Sequence, residues 1–183
     1  MEQNETELEI ILVLLKQKGI HVRAIAKAVN KPHATISRVM KGLLNKNVVD
    51  FKIEGKNKVF RLKKSIEALQ YVYMAEHFKV LKLFEKYPML SVISEAILSR
   101  TSEKLVILFG SFAKFNARKN SDIDVFIETK KKKAKEQVEN IDSRISVKIG
   151  KLNRKSPMIK EIIRDHIILR GVEHYYEKNK IFD

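Results

Sequence analysis

The sequence predicts an α+β protein in two parts joined by helices, and three observations carry that reading. Apolar residues recur at helical spacing through most of the first 45 positions. Two runs of alternating character then flank a Glu-Gly-Lys-Asn turn at 54–57. Beyond residue 104 the character changes, and short apolar strands alternate with helical stretches in the manner of a small α/β sheet.

The elements follow in order. Residues 8–18 read as a helix stopped by Gly19, and 22–29 as a second with Ile25 and Val29 four apart. Pro32 interrupts, because its ring cannot continue a helix and restricts Lys31 before it. A third helix spans about 34–45, with Ile36, Val39, Met40, Leu43 and Leu44 on one face and Thr35, Ser37, Arg38 and Lys41 on the other. Strands at 48–53 and 58–62 form a hairpin. Residues 65–87 are helical from a Ser65 cap to the residue before Pro88, with a break near His77 left open, and 91–100 form another helix. Strands are expected at 104–109, 122–128 and 144–149. Helices are expected from about 112, at 130–140, 157–165 and 172–178, with a short apolar run at 167–169. The expected domains are 1–64, a helical linker 65–89, and 90–183.

Composition narrows the class. The chain has 183 residues, 44% of them hydrophobic, which is enough for one medium domain or two small ones. It has no cysteine, so disulfides and thiolate metal sites are excluded. The longest apolar run, Ile10 to Leu15, falls far short of the roughly 20 residues a membrane span needs. With its polar, acidic start, the chain is expected to be cytoplasmic. The net charge of +15 points to polyanionic partners, nucleic acid or nucleotide phosphates, or else to a lysine-rich solvated surface.

Helix, helix, tight turn, helix, hairpin is the order of a winged helix-turn-helix, and residues 21–64 resemble the winged helix modules of prokaryotic transcription regulators. A helix laid in the major groove needs small polar and basic residues on its outer face, and Thr35, Ser37, Arg38 and Lys41 supply them. The hairpin adds Lys52, Lys56, Lys58 and Arg61, of which Lys56 and Lys58 are the candidate wing contacts. Residues 1–64 hold 14 Lys/Arg against 6 Asp/Glu, a net of +8, and four of the acids lie in the leader 1–9. The resemblance implies double-stranded DNA as a partner and, from palindromic sites, a homodimer.

The second constellation is Gly110-Ser111, ten residues, then Asp122-Ile123-Asp124. Gly110 permits a tight turn that brings backbone N–H groups near an anion, and Ser111 adds a hydroxyl at the start of the next helix. Asp122 and Asp124, two apart on a strand, point to one face, while Ile123, Val125 and Ile127 point to the core. Two adjacent carboxylates repel, and a divalent cation relieves the repulsion. The spacing resembles that of the minimal nucleotidyltransferases of the DNA polymerase β superfamily, over about residues 90–178. The resemblance implies a small mixed sheet, Mg²⁺ or Mn²⁺ on Asp122 and Asp124, and nucleotide on Gly110 and Ser111, with Lys114 and Arg118 assisting the triphosphate. It also implies nucleotidyl transfer from a nucleoside triphosphate to an acceptor hydroxyl.

Two departures stand out. Where close relatives read Gly-Ser-x-Ala-Arg-Gly, this chain has Lys114 and Phe115 at the last two positions. The family's third carboxylate, on the next strand, has no counterpart: Ser146 and Lys148 occupy the polar face, and Asp142 precedes the strand. The alternative is therefore a regulator whose transferase unit only binds nucleotide or is a scaffold. His166 and the Tyr175-Tyr176 pair read as packing, and Lys130 to Lys133 as a solvated helix start.

Overall fold

The computed structural model describes residues 2–17 and 19–179. Expectations for Lys18 and for 180–183 lie outside the described residues. The chain divides into two compact units, one up to Phe78 and the other from Lys79.

In the first unit α1 spans Glu2–Lys16, so the acidic leader is itself helical. Its inward face explains the longer helix: Ile10, Ile11 and Leu14 are buried, and one turn earlier so is Glu7. The Glu7 carboxylate accepts hydrogen bonds from Lys46 Nζ at 2.7 and 2.8 Å and from Tyr71 Oη at 3.1 Å. A buried acid that meets a cation and a phenol in this way satisfies its lone pairs and fixes the start of the helix.

A two-residue strand, β1 (Ile20–His21), follows; it is too short to show periodicity. Then come α2 (Val22–Ala28) and α3 (His33–Asn45). The helix α3 buries Ile36, Val39, Met40 and Leu43, the face its periodicity assigns. Asn47 ends it in left-handed geometry, φ 62°, where asparagine is tolerated better than most residues. The strands β2 (Val49–Glu54) and β3 (Asn57–Leu62) pair antiparallel, with Glu54 opposite Asn57, so the turn is only Gly55-Lys56. Gly55 supplies the positive φ that a two-residue hairpin loop requires. With β1 the sheet order is β1-β3-β2. The helix α4 (Ile66–Lys86) is capped by Ser65, whose Oγ accepts the Ala68 N–H at 3.1 Å. It runs unbroken through His77.

The second unit continues with α5 (Met89–Arg100) and β4 (Val106–Phe109). The α6 turn (Gly110–Ala113) begins two residues earlier than expected and is only four residues long. The strand β5 (Ile123–Glu128) is followed by α7 (Lys132–Glu139), β6 (Ile145–Gly150), α8 (Pro157–Arg164), β7 (Ile167–Arg170) and α9 (Val172–Asn179). The sheet order is β6-β5-β4-β7. The α7 crossover makes β5 and β6 parallel, and the other pairs are antiparallel, so the sheet is mixed, as expected.

One sheet face packs Val106, Leu108, Ile123, Val125, Ile127, Ile145 and Val147 against Leu90, Ile97 and Val138 from the helices. The opposite face is also apolar along its middle row, where Phe126 lies between Ile107 and Lys148, and Ile107 is opposite Ile168. Phe126 and Ile107 are fully buried. The Tyr175 and Tyr176 rings are buried too, in line with the packing reading.

Candidate active site and DNA-binding face

The end of β4 and the start of β5 place the acid pair. Phe109 is the cross-strand partner of Asp124, so Gly110 leaves the sheet beside that carboxylate. Gly110 has φ 70°, and a Cβ there would come within 2.1 Å of Asp124 Oδ2. A side chain at 110 would strain the backbone and push the Asp124 carboxylate out of its place. The Gly110-Ser111 turn and Asp124 are therefore one construction. Because α6 has four residues, the turn can offer an anion its own backbone N–H groups, not the dipole of a long helix.

Asp122 is exposed and immediately precedes β5, while Asp124 is half-buried within it. Burial pushes the Asp124 carboxyl up from its ordinary range, and the charge of Asp122 pushes it further. Lys148 and Lys114 pull it down, and Glu161 pushes it up. Two carboxylates so placed, one partly desolvated, form a donor set that suits a hard divalent cation completed by phosphate oxygens and water. Among the described residues no cluster of three His, Cys, Asp or Glu has metal-binding geometry.

Around the pair, Ser146 is the direct cross-strand partner of Asp124 and Lys148 that of Phe126. Cross-strand partners share a sheet face, so the position beside Asp124 on the neighbouring strand holds a serine. Asp142 is engaged elsewhere: the Arg144 guanidinium, bonded at 2.7 and 3.0 Å, and the Arg144 N–H hold its carboxyl down at about 2. Lys114 forms an ion pair with Glu161 Oε1 at 2.7 Å. The Arg118 side chain is exposed, and its backbone N–H bonds Ser121 Oγ at 2.8 Å, shaping the loop into Asp122.

In the first unit Ser37, Arg38 and Lys41 are exposed on the outer face of α3, and Thr35 is half-buried. His33, expected in the break, is the exposed first residue of that helix. The wing cations divide. Lys56 is at the turn tip, and Lys58 lies over the Phe51 ring at 4.1 Å on the face that carries Phe60. Lys52 and Arg61 are on the opposite face, where Arg61 pairs with Asp50 at 3.5 Å. The four cannot share one contact surface.

Residues 93–173 match the family model described as polymerase beta, nucleotidyltransferase, and residues 2–69 that of the sugar-specific transcriptional regulator TrmB. The chain joins a TrmB-type regulator domain to a polymerase β-type nucleotidyltransferase domain. No curated protein and no solved structure matches the chain.

Within the nucleotidyltransferase domain, Phe115 occupies the last position of the Gly-Ser-x-Ala-Arg-Gly pattern with φ 56°. The backbone thus keeps the left-handed turn that glycine adopts readily. The ring packs beside the core and the carbonyl accepts a hydrogen bond from Lys86 Nζ. Sequence reasoning missed Glu161. It lies 37 residues beyond Asp124 in an amphipathic helix and reaches the site only through the fold. It also missed Glu128, where burial pushes the carboxyl up but bonds from Lys178, the Leu152 N–H and His174 outweigh it and hold it low. Those bonds tie α9 to the end of β5. His166 is half-buried, with Nδ1 3.0 Å from the Ile162 carbonyl and its ring 4.7 Å from that of Tyr175.

Proposed function

We propose that this protein is a DNA-binding transcription regulator whose nucleotidyltransferase domain binds a nucleoside triphosphate with Mg²⁺ or Mn²⁺ and transfers its nucleotidyl group to an acceptor hydroxyl. The observation that carries the reading is the fit between Gly110 and Asp124, in which the phosphate-type turn and the acid pair are built as one unit. Asp122 and Asp124 would hold the cation, which when bound would supply positive charge to the triphosphate oxygens. The acceptor oxygen bonds to the α-phosphorus, the bond to pyrophosphate breaks, and the hydroxyl proton passes to solvent or a base. Gly110 and Ser111 hold phosphate oxygens, Arg118 reaches the triphosphate from the loop, and Lys114 joins it by exchanging its Glu161 partner for phosphate.

On the DNA side, Thr35, Ser37, Arg38 and Lys41 present the reading face of α3, with Lys56 and Lys58 on the wing. A homodimer on a palindromic duplex in the cytoplasm is the form this takes. Ser146 beside Asp124 favours a second reading, in which nucleotide is bound without turnover and serves as a signal to the regulator domain. Incubation with each labelled nucleoside triphosphate and Mg²⁺ or Mn²⁺ tests transfer. Labelled acceptor that disappears in Asp122→Ala plus Asp124→Ala supports the enzyme. Metal-dependent nucleotide binding without transfer supports the signal reading, and absence of both removes the transferase assignment.

A further inference from the structure

The place beside Asp124 on β6 has no acid, and the next residue on that sheet face is a lysine. By the parallel register Ser146 is opposite Asp124 and Lys148 opposite Phe126. Lys148 is thus one step along the face from the acid pair, about 6.6 Å in strand rise, within reach of a side chain of that length. β6 is an edge strand, so nothing in the sheet covers it on its outer side. Lys148 is exposed, and its ammonium makes no ion pair or hydrogen bond with a described residue. Its cross-strand partner Phe126 is buried, and a lysine stem can cover such an apolar row while its ammonium stays in water.

The other charges near Asp124 are Asp122, Lys114 and Glu161. Lys114 and Glu161 satisfy each other at 2.7 Å. Glu161 is consequently engaged by Lys114, and no group of three His, Cys, Asp or Glu among the described residues has the geometry to hold a metal ion. Asp122 and Asp124 carry two negative charges, enough for one divalent cation. A second cation on the same face would meet the ammonium of Lys148 with no carboxylate to hold it.

We propose that Lys148 is a triphosphate-binding residue that stands in for a second metal ion, so that this site takes one divalent cation with its nucleotide. The inference rests on the proposed nucleotide–metal site and changes its composition. A lysine supplies a fixed positive charge to phosphate oxygens without a coordination shell.

Inorganic tripolyphosphate and Mn²⁺ are suitable probes, because they require no knowledge of the base. Protein-bound Mn²⁺ is counted by equilibrium dialysis with saturating tripolyphosphate, and tripolyphosphate affinity is measured calorimetrically on the full chain. The expected count is one Mn²⁺ per chain. Lys148→Ala should keep that count and weaken tripolyphosphate about tenfold, while Lys148→Arg should retain most of the affinity. Ser146→Asp, which installs an acid opposite Asp124, should raise the count towards two. A wild-type count of two, or unchanged affinity in Lys148→Ala, overturns the assignment of Lys148 while leaving the site itself standing. A wild-type count of zero overturns the nucleotide–metal site and this inference with it.

Discussion

At the residue scale, Asp124 shows how a site is held in tension before its ligand arrives. Its carboxyl is raised above its unfolded range by burial and by Asp122. A carboxyl raised on folding favours the protonated state, so ionisation opposes folding. The penalty is absent below the unfolded value, near 3.8, and grows as pH rises through the folded value. Asp124→Asn should therefore raise the metal-free Tm by about 1–3 °C at pH 7–8, with the gain vanishing near pH 4. Mn²⁺ should stabilise the wild type and not the variant; thermal scans across pH check both. Phe115 carries a different strain. Phe115→Ala and Phe115→Gly lose the same ring contacts, but only glycine relieves φ 56°. Glycine should be the more stable of the two by about 1 kcal/mol in urea titration. The residues of the Gly-Ser and Asp-x-Asp motifs were legible because local spacing defines them. Glu161 was not, because its proximity depends on how α8 returns to the sheet.

At the element scale, long periodic helices and the hairpin were legible, and short pieces were not. β1 has two residues and exists only because Ile20 and His21 pair with Phe60 and Val59. The α1 start was misjudged because Glu7 reads as solvent-facing in sequence, whereas it is buried against Lys46 and Tyr71. The two sides of that pair are unequal. The Glu7 side chain is 4% exposed and that of Lys46 45%. Lys46→Met leaves a buried carboxylate without its cation, and should cost about 2 kcal/mol after allowance for the exposed partner. Glu7→Gln leaves a lysine that water can solvate and an amide that still bonds Tyr71, and should cost about 1 kcal/mol. If the two substitutions cost the same in denaturant titration, the buried-acid account is wrong.

At the scale of the whole molecule, the two families predict two partners, and the charge is spread over both units. Residues 1–78 carry 14 Lys/Arg against 8 Asp/Glu, a net of +6, and residues 79–181 carry 23 against 13, a net of +10. Net charge alone therefore does not identify the DNA-binding unit, since the transferase unit is the more basic. What distinguishes them is placement: α3 presents Arg38 and Lys41 uncompensated on one exposed helix face, whereas the second unit sets the Asp124 carboxylate against Gly110. Each unit has its own core, and the candidate residues for each partner fall within one unit. The two activities should consequently dissociate on mutation. Arg38→Ala should weaken binding to a specific duplex and lower the slope of log affinity against log salt by about 1, leaving Mn²⁺-dependent nucleotide affinity intact. Asp122→Asn plus Asp124→Asn should do the reverse, abolishing Mn²⁺ binding and leaving the salt slope of the nucleotide-free protein unchanged. The measurement is a duplex titration at several salt concentrations for both variants, beside dialysis with Mn²⁺. Loss of nucleotide binding in Arg38→Ala, with the fold intact by circular dichroism, would show that α3 serves the transferase and that the assignment of partners to units is mistaken.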